Sequence, residues 1–305
     1  MRLFWNSKEI TEYCNITGCI YRDAAGGKSD TLELTLDRAS VWYRWGPEEG
    51  DEIEVTETGF ETGILYLTAV IPLRDEYRIL ASGMKPAANR KTWAGFKNMT
   101  LRMLVERCAA ESGMAGKIFG MDGNLLIPYA MRRGEGCAAF LARIGRAEGF
   151  KLKTYNGAMR AIYLPYAEEQ EPRARLNLTA KQDGVTYRRR RNLKYSTLTV
   201  MSPWAKATAR DESAEGVNDM TVTTLPAMDN TQAGRWARNL LREKNRLAEE
   251  LTIEQTFNSR MTALSRVEVN GGTDMDGQWL IEEAEHDLKN KTTCAKMLRV
   301  ISTIR

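Results

Sequence analysis

Thr31–Asp37 alternates apolar and polar side chains without interruption, and this pattern constrains the fold more than any other. Successive side chains of a strand point to opposite faces, so Leu32, Leu34 and Leu36 share one face that must be buried. The same period recurs in three further segments, 53–56, 63–71 and 77–81. Short strands at this spacing predict a small barrel or sandwich over residues 1–90.

Between residues 91 and 168 the spacing of apolar residues changes to that of helices. Thr100 can cap a first helix, because its side chain can accept a hydrogen bond from the first turn. The apolar stripe of this helix comprises Leu101, Leu104, Val105, Cys108 and Ala109. A second helix is predicted from about Glu135 to Gly149. Asn156-Gly157 then predicts a hairpin, since both residues tolerate positive φ.

The last third of the chain returns to strand patterns. Strands are predicted at 175–178, 185–194, 196–201, 263–269, 278–288 and 293–302. A long helix of about 229–251 interrupts them. It begins at Asp229, and Gln232 is placed to complete a capping box.

These patterns predict a mainly β fold with an α+β part. Two small β-barrel domains, 1–90 and 169–305, flank a middle α+β domain, 91–168, and the long helix is inserted in the second barrel domain. The charged segment 166–172 ends in a proline and is predicted to be a linker. No repeat of 20–50 residues is visible.

Composition narrows the class of protein. With 305 residues, 43% hydrophobic and 28% charged, the chain resembles an ordinary globular protein and not a disordered one. No stretch approaches the roughly 20 apolar residues of a membrane helix. Polar residues follow Trp5 at once, so no signal-peptide core is present. We expect no membrane insertion.

The five cysteines do not indicate a metal centre. Cys14 and Cys19 could supply half of a zinc site, but no second pair of Cys or His residues completes four ligands. Cys108 and Cys137 lie among apolar residues at helical spacing and are predicted to be small buried side chains. We therefore predict no metal and no cofactor.

The segment 282–287 is the strongest candidate for chemistry, because four acids surround His286, the single histidine. On a strand, Glu283, Glu285 and Asp287 share one face, which is more typical of a solvated surface than of a hard-cation site. His286 is predicted to be a semi-buried structural residue. No nucleotide-binding or hydrolase motif is present, so we assign no catalytic residue and expect no enzyme.

Charge is distributed unevenly along the chain. The 44 Lys+Arg and 40 Asp+Glu give a net charge of +4. The segment 172–210 holds ten basic residues and one acidic residue, a net charge of +9, which leaves −5 for the remainder. The segment 46–73 holds seven acidic residues and no Lys or Arg. The chain is therefore electrically polarised.

The basic segment contains a run of four arginines, Arg188, Arg189, Arg190 and Arg191, near Tyr187, Tyr195 and Trp204. Cations neutralise phosphates and aromatic rings stack on bases, so a nucleic-acid-binding protein is one alternative. No recognised binding motif accompanies the run, and we expect no specific nucleic acid. A carboxylate-based cell-wall hydrolase is a third alternative, which would need a paired acid and base in a cleft.

The order of the motifs resembles the phage late control protein D family, which comprises baseplate hubs of contractile tails, akin to the hub half of type VI secretion spike proteins. The resemblance rests on the segments 29–37, 46–55, 63–67, 140–150 and 277–288, together with the long helix around Trp236. It spans nearly the whole chain in sequence order.

This resemblance implies a structural protein. Three subunits with two barrels each would form a ring that adapts a sixfold tail tube to a threefold spike. The implied partners are a homotrimer, the tube protein, a spike protein, a tape measure protein and a LysM-bearing baseplate protein. Because the sequence stops at Arg305, just after its last strand, we expect the spike to be a separate chain. The implied location is the tail baseplate of a virion, tailocin or related particle, assembled in the bacterial cytoplasm.

The two charged segments predict an assembly interface. In a closed ring, one surface of a subunit meets a different surface of the next. We expect the acidic segment, with Glu48, Glu49, Asp51 and Glu52, to dock against the arginines 188–191 of a neighbouring subunit or of the adjoining tube.

Overall fold

The computed structural model describes residues 1–37, 45–179, 182–214 and 218–304, and within them the fold is mainly β, as predicted. The α-helices are α1 (Leu101–Glu111), α2 (Cys137–Glu148), α3 (Leu164–Glu169) and α4 (Asn230–Arg246). The β-strands are β1 (Arg2–Trp5), β2 (Lys8–Glu9), β3 (Ile16–Ala24), β4 (Thr31–Asp37), β5 (Glu52–Glu57), β6 (Phe60–Glu61), β7 (Leu65–Pro72), β8 (Glu76–Ser82), β9 (Thr92–Thr100), β10 (Ala115–Phe119), β11 (Leu126–Glu135), β12 (Phe150–Tyr155), β13 (Ala158–Tyr163), β14 (Ala174–Asn177), β15 (Val185–Arg189), β16 (Thr197–Met201), β17 (Lys206–Arg210), β18 (Asp219–Val222), β19 (Glu249–Thr256), β20 (Arg266–Asn270), β21 (Gly277–Asp287) and β22 (Thr292–Arg299). No described helix is long and apolar enough to cross a membrane.

One continuous sheet joins the beginning and the end of the chain. Its strands follow the order β15-β19-β22-β21-β3-β4-β8-β7-β5-β1-β2, with β6, β14 and β20 beside this path. The junction is the antiparallel pair of β21 and β3, in which Glu283 lies opposite Ala24 and Asp287 opposite Ile20. Among the described strands this path does not close, so the two separate barrels expected from the sequence are not confirmed.

Each β region nevertheless surrounds a hydrophobic core of its own. Leu32, Leu34 and Leu36 of β4 are buried in the first core, so the alternation predicted there is confirmed along the whole strand. Burying a leucine side chain contributes about 1.5–3 kcal/mol relative to leaving it exposed. The second core lies within β14 to β22 and includes the fully buried Trp279.

The middle region packs two helices on small sheets. Thr100 caps α1, because its Oγ1 accepts a hydrogen bond from the N–H of Met103 at 3.2 Å. Gly149 ends α2 with a φ of 85°, where a side chain would be strained. Strands β12 and β13 form the predicted hairpin, and β10 pairs parallel to β13. The ribbon of β9 and β11 was not predicted; it packs Phe96 against the helices.

Helix α4 packs on a small sheet of its own. Asp229 caps it by accepting a hydrogen bond from the N–H of Gln232 at 2.7 Å, as the sequence predicts. The helix ends earlier than expected, at Arg246, because the chain turns at Leu247 into β19, whose Leu251 belongs to the second β core. Strands β17, β16 and β18 cover the apolar face of α4 and share a separate core with it.

The segment 166–172 is more than a linker. Its first half lies in α3, where Glu168 is buried. This carboxylate forms ion pairs with Arg242 at 3.5 Å and Arg246 at 3.8 Å, both from α4. The carboxylate of Glu168 therefore links α3 to α4, two parts of the chain that are distant in sequence. A count of charged residues cannot reveal this contact.

Candidate assembly interface

The arginine run lies at one end of the large sheet. Arg188 and Arg189 end β15, Arg190 follows it, and Arg191 begins a short 3₁₀ turn. In the described part of the chain β15 pairs only with β19, so its other edge is open. Another chain can add to an open edge, and charged side chains restrict which chain can do so.

Two glutamates of β19 neutralise part of this charge. Glu250 pairs with Arg188 and Arg190, each at 3.3 Å, and Glu249 lies 3.8 Å from Arg189. The same two glutamates also bind Lys194, Lys296 and Arg299. Burial acts to raise the pKa of Glu249, but the cations outweigh it and hold that pKa below its ordinary value. Six cations around two carboxylates leave this end of the sheet positive.

The acids of the other predicted surface differ in what they contact. Asp51 is structural, because Trp5 Nε1 and the Glu48 N–H each donate to its Oδ2 at 3.0 Å. Glu52 is half-buried at the start of β5. The side chains of Glu48 and Glu49 are exposed and have no ion pair within the described ranges. These two glutamates are the acids that a partner can reach most easily.

The two charged surfaces lie far apart on the sheet. Strand β15 is the first of the path, whereas the acids precede or begin β5, eight strand positions further along. At about 4.8 Å per strand, the path between them measures about 38 Å. Opposite charges at two ends suit head-to-tail contacts between copies, in which unlike surfaces meet. That these two surfaces contact one another stays a prediction.

The acids of β21 form ion pairs across the sheet. Arg22 binds Glu285 and Lys28 binds Glu283, each at 2.6 Å. Oδ1 of Asp287 accepts hydrogen bonds from two N–H groups of the following turn. Within the described ranges, no cluster of three His, Cys, Asp or Glu side chains could hold a metal ion. These acids therefore stabilise β21 and its neighbours.

His286 lies at the seam between the two β regions and is fully buried. Its Nδ1 is 2.9 Å from Oγ1 of Thr293. The rings of Phe60 and Phe257 pack around it, with centroid distances of 5.0 and 5.6 Å. Burial lowers the pKa of His286, which favours the neutral ring. Its contacts are those of a structural residue, as predicted, but it is fully buried and not semi-buried as expected.

Cys108 and Cys137 are buried in the same core of the middle region, as their spacing predicts. Cys137 begins α2, and Nη1 of Arg132 donates a hydrogen bond to its Sγ at 2.7 Å. A hydrogen bond with Cys108 lowers the pKa of Cys137 to about 7. Sequence reasoning missed Arg132, because this residue comes from β11, which no alternation indicated.

A buried ion cluster joins the first β region to the middle region. Lys153 of β12 donates to Asp23 of β3 and, at 3.0 Å, to Asp30, which precedes β4. The hydroxyl of Tyr21 also donates to Asp30, at 2.9 Å. Because both carboxylates are buried, Lys153 is their essential counter-charge. Its partners are 130 and 123 residues away in sequence, so no local motif indicates the cluster.

The substitution Asp30→Asn should change how stability depends on pH. Burial raises the pKa of Asp30 to about 6, with Asp23 adding to the rise and Lys153 opposing it. The folded state then binds this proton more tightly than the unfolded state, so the stability due to Asp30 falls as pH rises from about 4 to 6. The variant should lack this decline, on the order of 1–3 kcal/mol, in urea unfolding measured from pH 4 to pH 7. The exposed Asp75→Asn should keep it, and identical pH profiles for wild type and Asp30→Asn would contradict the prediction.

No protein-family model and no curated protein sequence matches the chain. Solved structures do match. The 43 kDa tail protein of prophage MuSo2 from Shewanella oneidensis aligns with 98% of this chain and 97% of its own, with a TM-score of 0.74 and 14% identity. The tail protein from Neisseria meningitidis MC58 aligns with 98% of this chain and 96% of its own, with a TM-score of 0.76 and 13% identity. The chain shares its fold with these two tail proteins.

A component of a secretion system has a similar fold. The Escherichia coli c3393 protein, a component of the type VI secretion system described as similar to the T4 tail proteins gp27 and gp5, aligns with 95% of this chain and 75% of its own. The TM-score is 0.62 and the identity 12%. The resemblance to tail and secretion hub proteins that the sequence indicates is therefore confirmed at the level of the fold.

Proposed function

We propose that the chain is a baseplate hub subunit of a contractile phage tail or phage-tail-like particle, and that three copies form a ring between a sixfold tube and a threefold spike. The observation that carries this proposal is the end-to-end similarity to tail proteins over 98% of the chain. The two β regions support it, because each has its own core and three copies would present six such regions.

In this proposal the units are 1–90, 91–168 and 169–305. The first and last act as two barrel-like halves of one sheet, and the middle unit is held to the first by Lys153. The partners are a separate spike protein, the tube protein, a tape measure protein and other baseplate proteins, among them one with a LysM domain. The subunit would assemble in the bacterial cytoplasm and reside in the tail baseplate.

Charge reversal tests the ring. Arg191 is the best residue of its run to change, because it is exposed and has no ion pair among the described residues, whereas Arg188, Arg189 and Arg190 bind glutamates of β19. Arg191→Glu should raise the dissociation constant of the trimer at least tenfold. Light scattering should show the mass falling from three times 34.5 kDa towards that of one chain.

The double variant Glu48→Lys, Glu49→Lys should weaken the trimer in the same way, and its combination with Arg191→Glu should restore it. The exposed Arg133→Glu, on the middle region, is the matched control and should leave the mass unchanged. A wild-type protein that stays monomeric at 100 μM would contradict the ring. A loss of salt-sensitive DNA binding in Arg191→Glu, with no change in mass, would instead support the nucleic-acid alternative.

A further inference from the structure

A cleft of about 490 Å³ opens where both β regions meet the middle region. Its walls include Phe60 of the first β region, Tyr155 and Arg160 of the middle region, and Ser265 before β20. Cavities of this size accept a small organic molecule or a short peptide segment. Because all three regions contribute, the cleft exists only in the complete fold.

Aromatic rings form much of the wall. They belong to Tyr21, Phe60, Phe119, Tyr155 and Tyr166. The side chains of Phe119 and Tyr166 remain 36% and 39% exposed, so they present apolar surface to an incoming group. Tyr166 packs directly on Gly120, where an added Cβ would lie 2.1 Å from the tyrosine side chain, so the glycine fixes its position. A concave aromatic surface of this kind suits an apolar or aromatic side chain of a ligand.

The cations of the cleft differ in their partners. Lys153 and Arg266 both donate hydrogen bonds to protein oxygens. Arg160 has no acceptor among the described residues: its Nε is buried, and its guanidinium group lies 4.8 Å from the centroid of the Tyr155 ring. Arg160 as a whole is half-buried, and Nε is its one buried donor without an acceptor. Because buried donors normally have acceptors, the unpaired Nε indicates an acceptor from another molecule.

A second arginine and three acids also line the cleft. The side chain of Arg173 has no hydrogen-bond or ion-pair partner in the described part of the chain, but it is exposed, so water hydrates it. Of the acids, Asp23 is paired with Lys153, whereas Glu61 and Glu171 are exposed, so water screens their charge. The cleft therefore combines aromatic walls with one guanidinium group, that of Arg160, whose buried Nε lacks an acceptor within the described ranges.

We propose that this cleft binds an acidic and aromatic segment of a partner polypeptide, with the carboxylate on Arg160 and the aromatic side chain against the exposed rings. A planar guanidinium group can donate two parallel hydrogen bonds to a carboxylate, which favours this group over a neutral amide. The proposal goes beyond the hub function and does not depend on it, since the cleft lies within one chain.

The test uses the full chain and the peptide acetyl-Gly-Glu-Phe-Gly-amide, which carries one carboxylate and no free terminus. Its matched probe, acetyl-Gly-Gln-Phe-Gly-amide, differs only in charge. We expect the acidic peptide to bind with a dissociation constant of about 1 mM in ligand-observed NMR, and the neutral peptide to bind at least tenfold more weakly. Arg160→Gln should raise the dissociation constant of the acidic peptide at least tenfold, whereas Arg133→Gln should leave that constant unchanged.

The remaining outcomes are equally decisive. Equal binding of both peptides, or equal loss in the two arginine variants, would overturn the role of Arg160. No saturable binding up to 20 mM would overturn the site. If N-acetylphenylalanine or inorganic phosphate binds at least tenfold more tightly than the peptide, the occupant is a small anion and the polypeptide is excluded. Arg160→Lys, which keeps the charge without the planar fork, should bind with intermediate affinity and shows that the site itself still folds.

Discussion

Replacing Lys153 with methionine should lower the free energy of unfolding by about 3–5 kcal/mol, because it leaves two buried carboxylates without their cation. Lys153 donates hydrogen bonds to both Asp23 and Asp30, and each of these carboxylates is almost completely buried. Methionine fills a similar volume, so the loss reports the missing charge more than a cavity. Urea unfolding at pH 7, followed by circular dichroism, measures the difference.

At low pH, Lys153→Met should lower the free energy of unfolding by less than it does at pH 7. At pH 5 the wild-type Asp30 is already largely protonated, since its pKa is about 6, and removal of the lysine favours protonation further. The exposed Lys97→Met is the matched control and should change stability by less than about 0.5 kcal/mol. A loss in Lys153→Met that is no larger than in this control would show that the ion cluster is not needed.

The substitution Glu148→Ala should destabilise the chain by about 3 kcal/mol and loosen α4 from the middle region. Glu148, near the end of α2, is almost fully buried. Its Oε2 accepts from Nε of Arg235 at 2.7 Å and its Oε1 accepts from Nε1 of Trp236 at 2.8 Å. Alanine leaves both donors without an acceptor. The tryptophan emission of the variant should shift towards that of solvent-exposed rings before global unfolding in urea.

Two further variants separate charge from packing. Glu148→Gln keeps a carbonyl oxygen for Trp236 but removes the charge that holds Arg235. Its free energy of unfolding should therefore fall by about half as much as that of Glu148→Ala. The exposed Glu106→Ala, on the neighbouring helix α1, should be nearly neutral. If Glu148→Ala unfolds in urea with the same midpoint as Glu106→Ala, the link between α2 and α4 contributes nothing measurable.

Local patterns in the sequence predicted local structure well. The alternation of Thr31–Asp37 encodes a half-buried strand, and the caps at Thr100 and Asp229 encode helix starts, because each signal lies within one or two turns of chain. The strand β19 was missed, because Leu251 continues the helical spacing of α4. Only the burial of Leu251 in the second β core shows that it belongs to a strand.

Long-range partners could not be predicted in the same way. The arginine run is visible in sequence, but that Glu249 and Glu250 lie opposite Arg189 and Arg188 depends on the pairing of β15 with β19. Likewise, the cleft around Arg160 is made by residues from all three regions. A composition count weighs every charge equally, whereas the fold decides which charges are already paired.

The pairing of β21 with β3 has a consequence for synthesis on the ribosome. Strand β3 ends at Ala24, but the residues that cover its edge, 283–287, are translated some 260 residues later. During that interval the first β region can fold around its own core, yet it exposes a row of unpaired backbone groups that invites pairing with other nascent chains. Only when β21 has been translated and pairs with β3 is this edge covered, and from then on it no longer promotes aggregation between newly made chains.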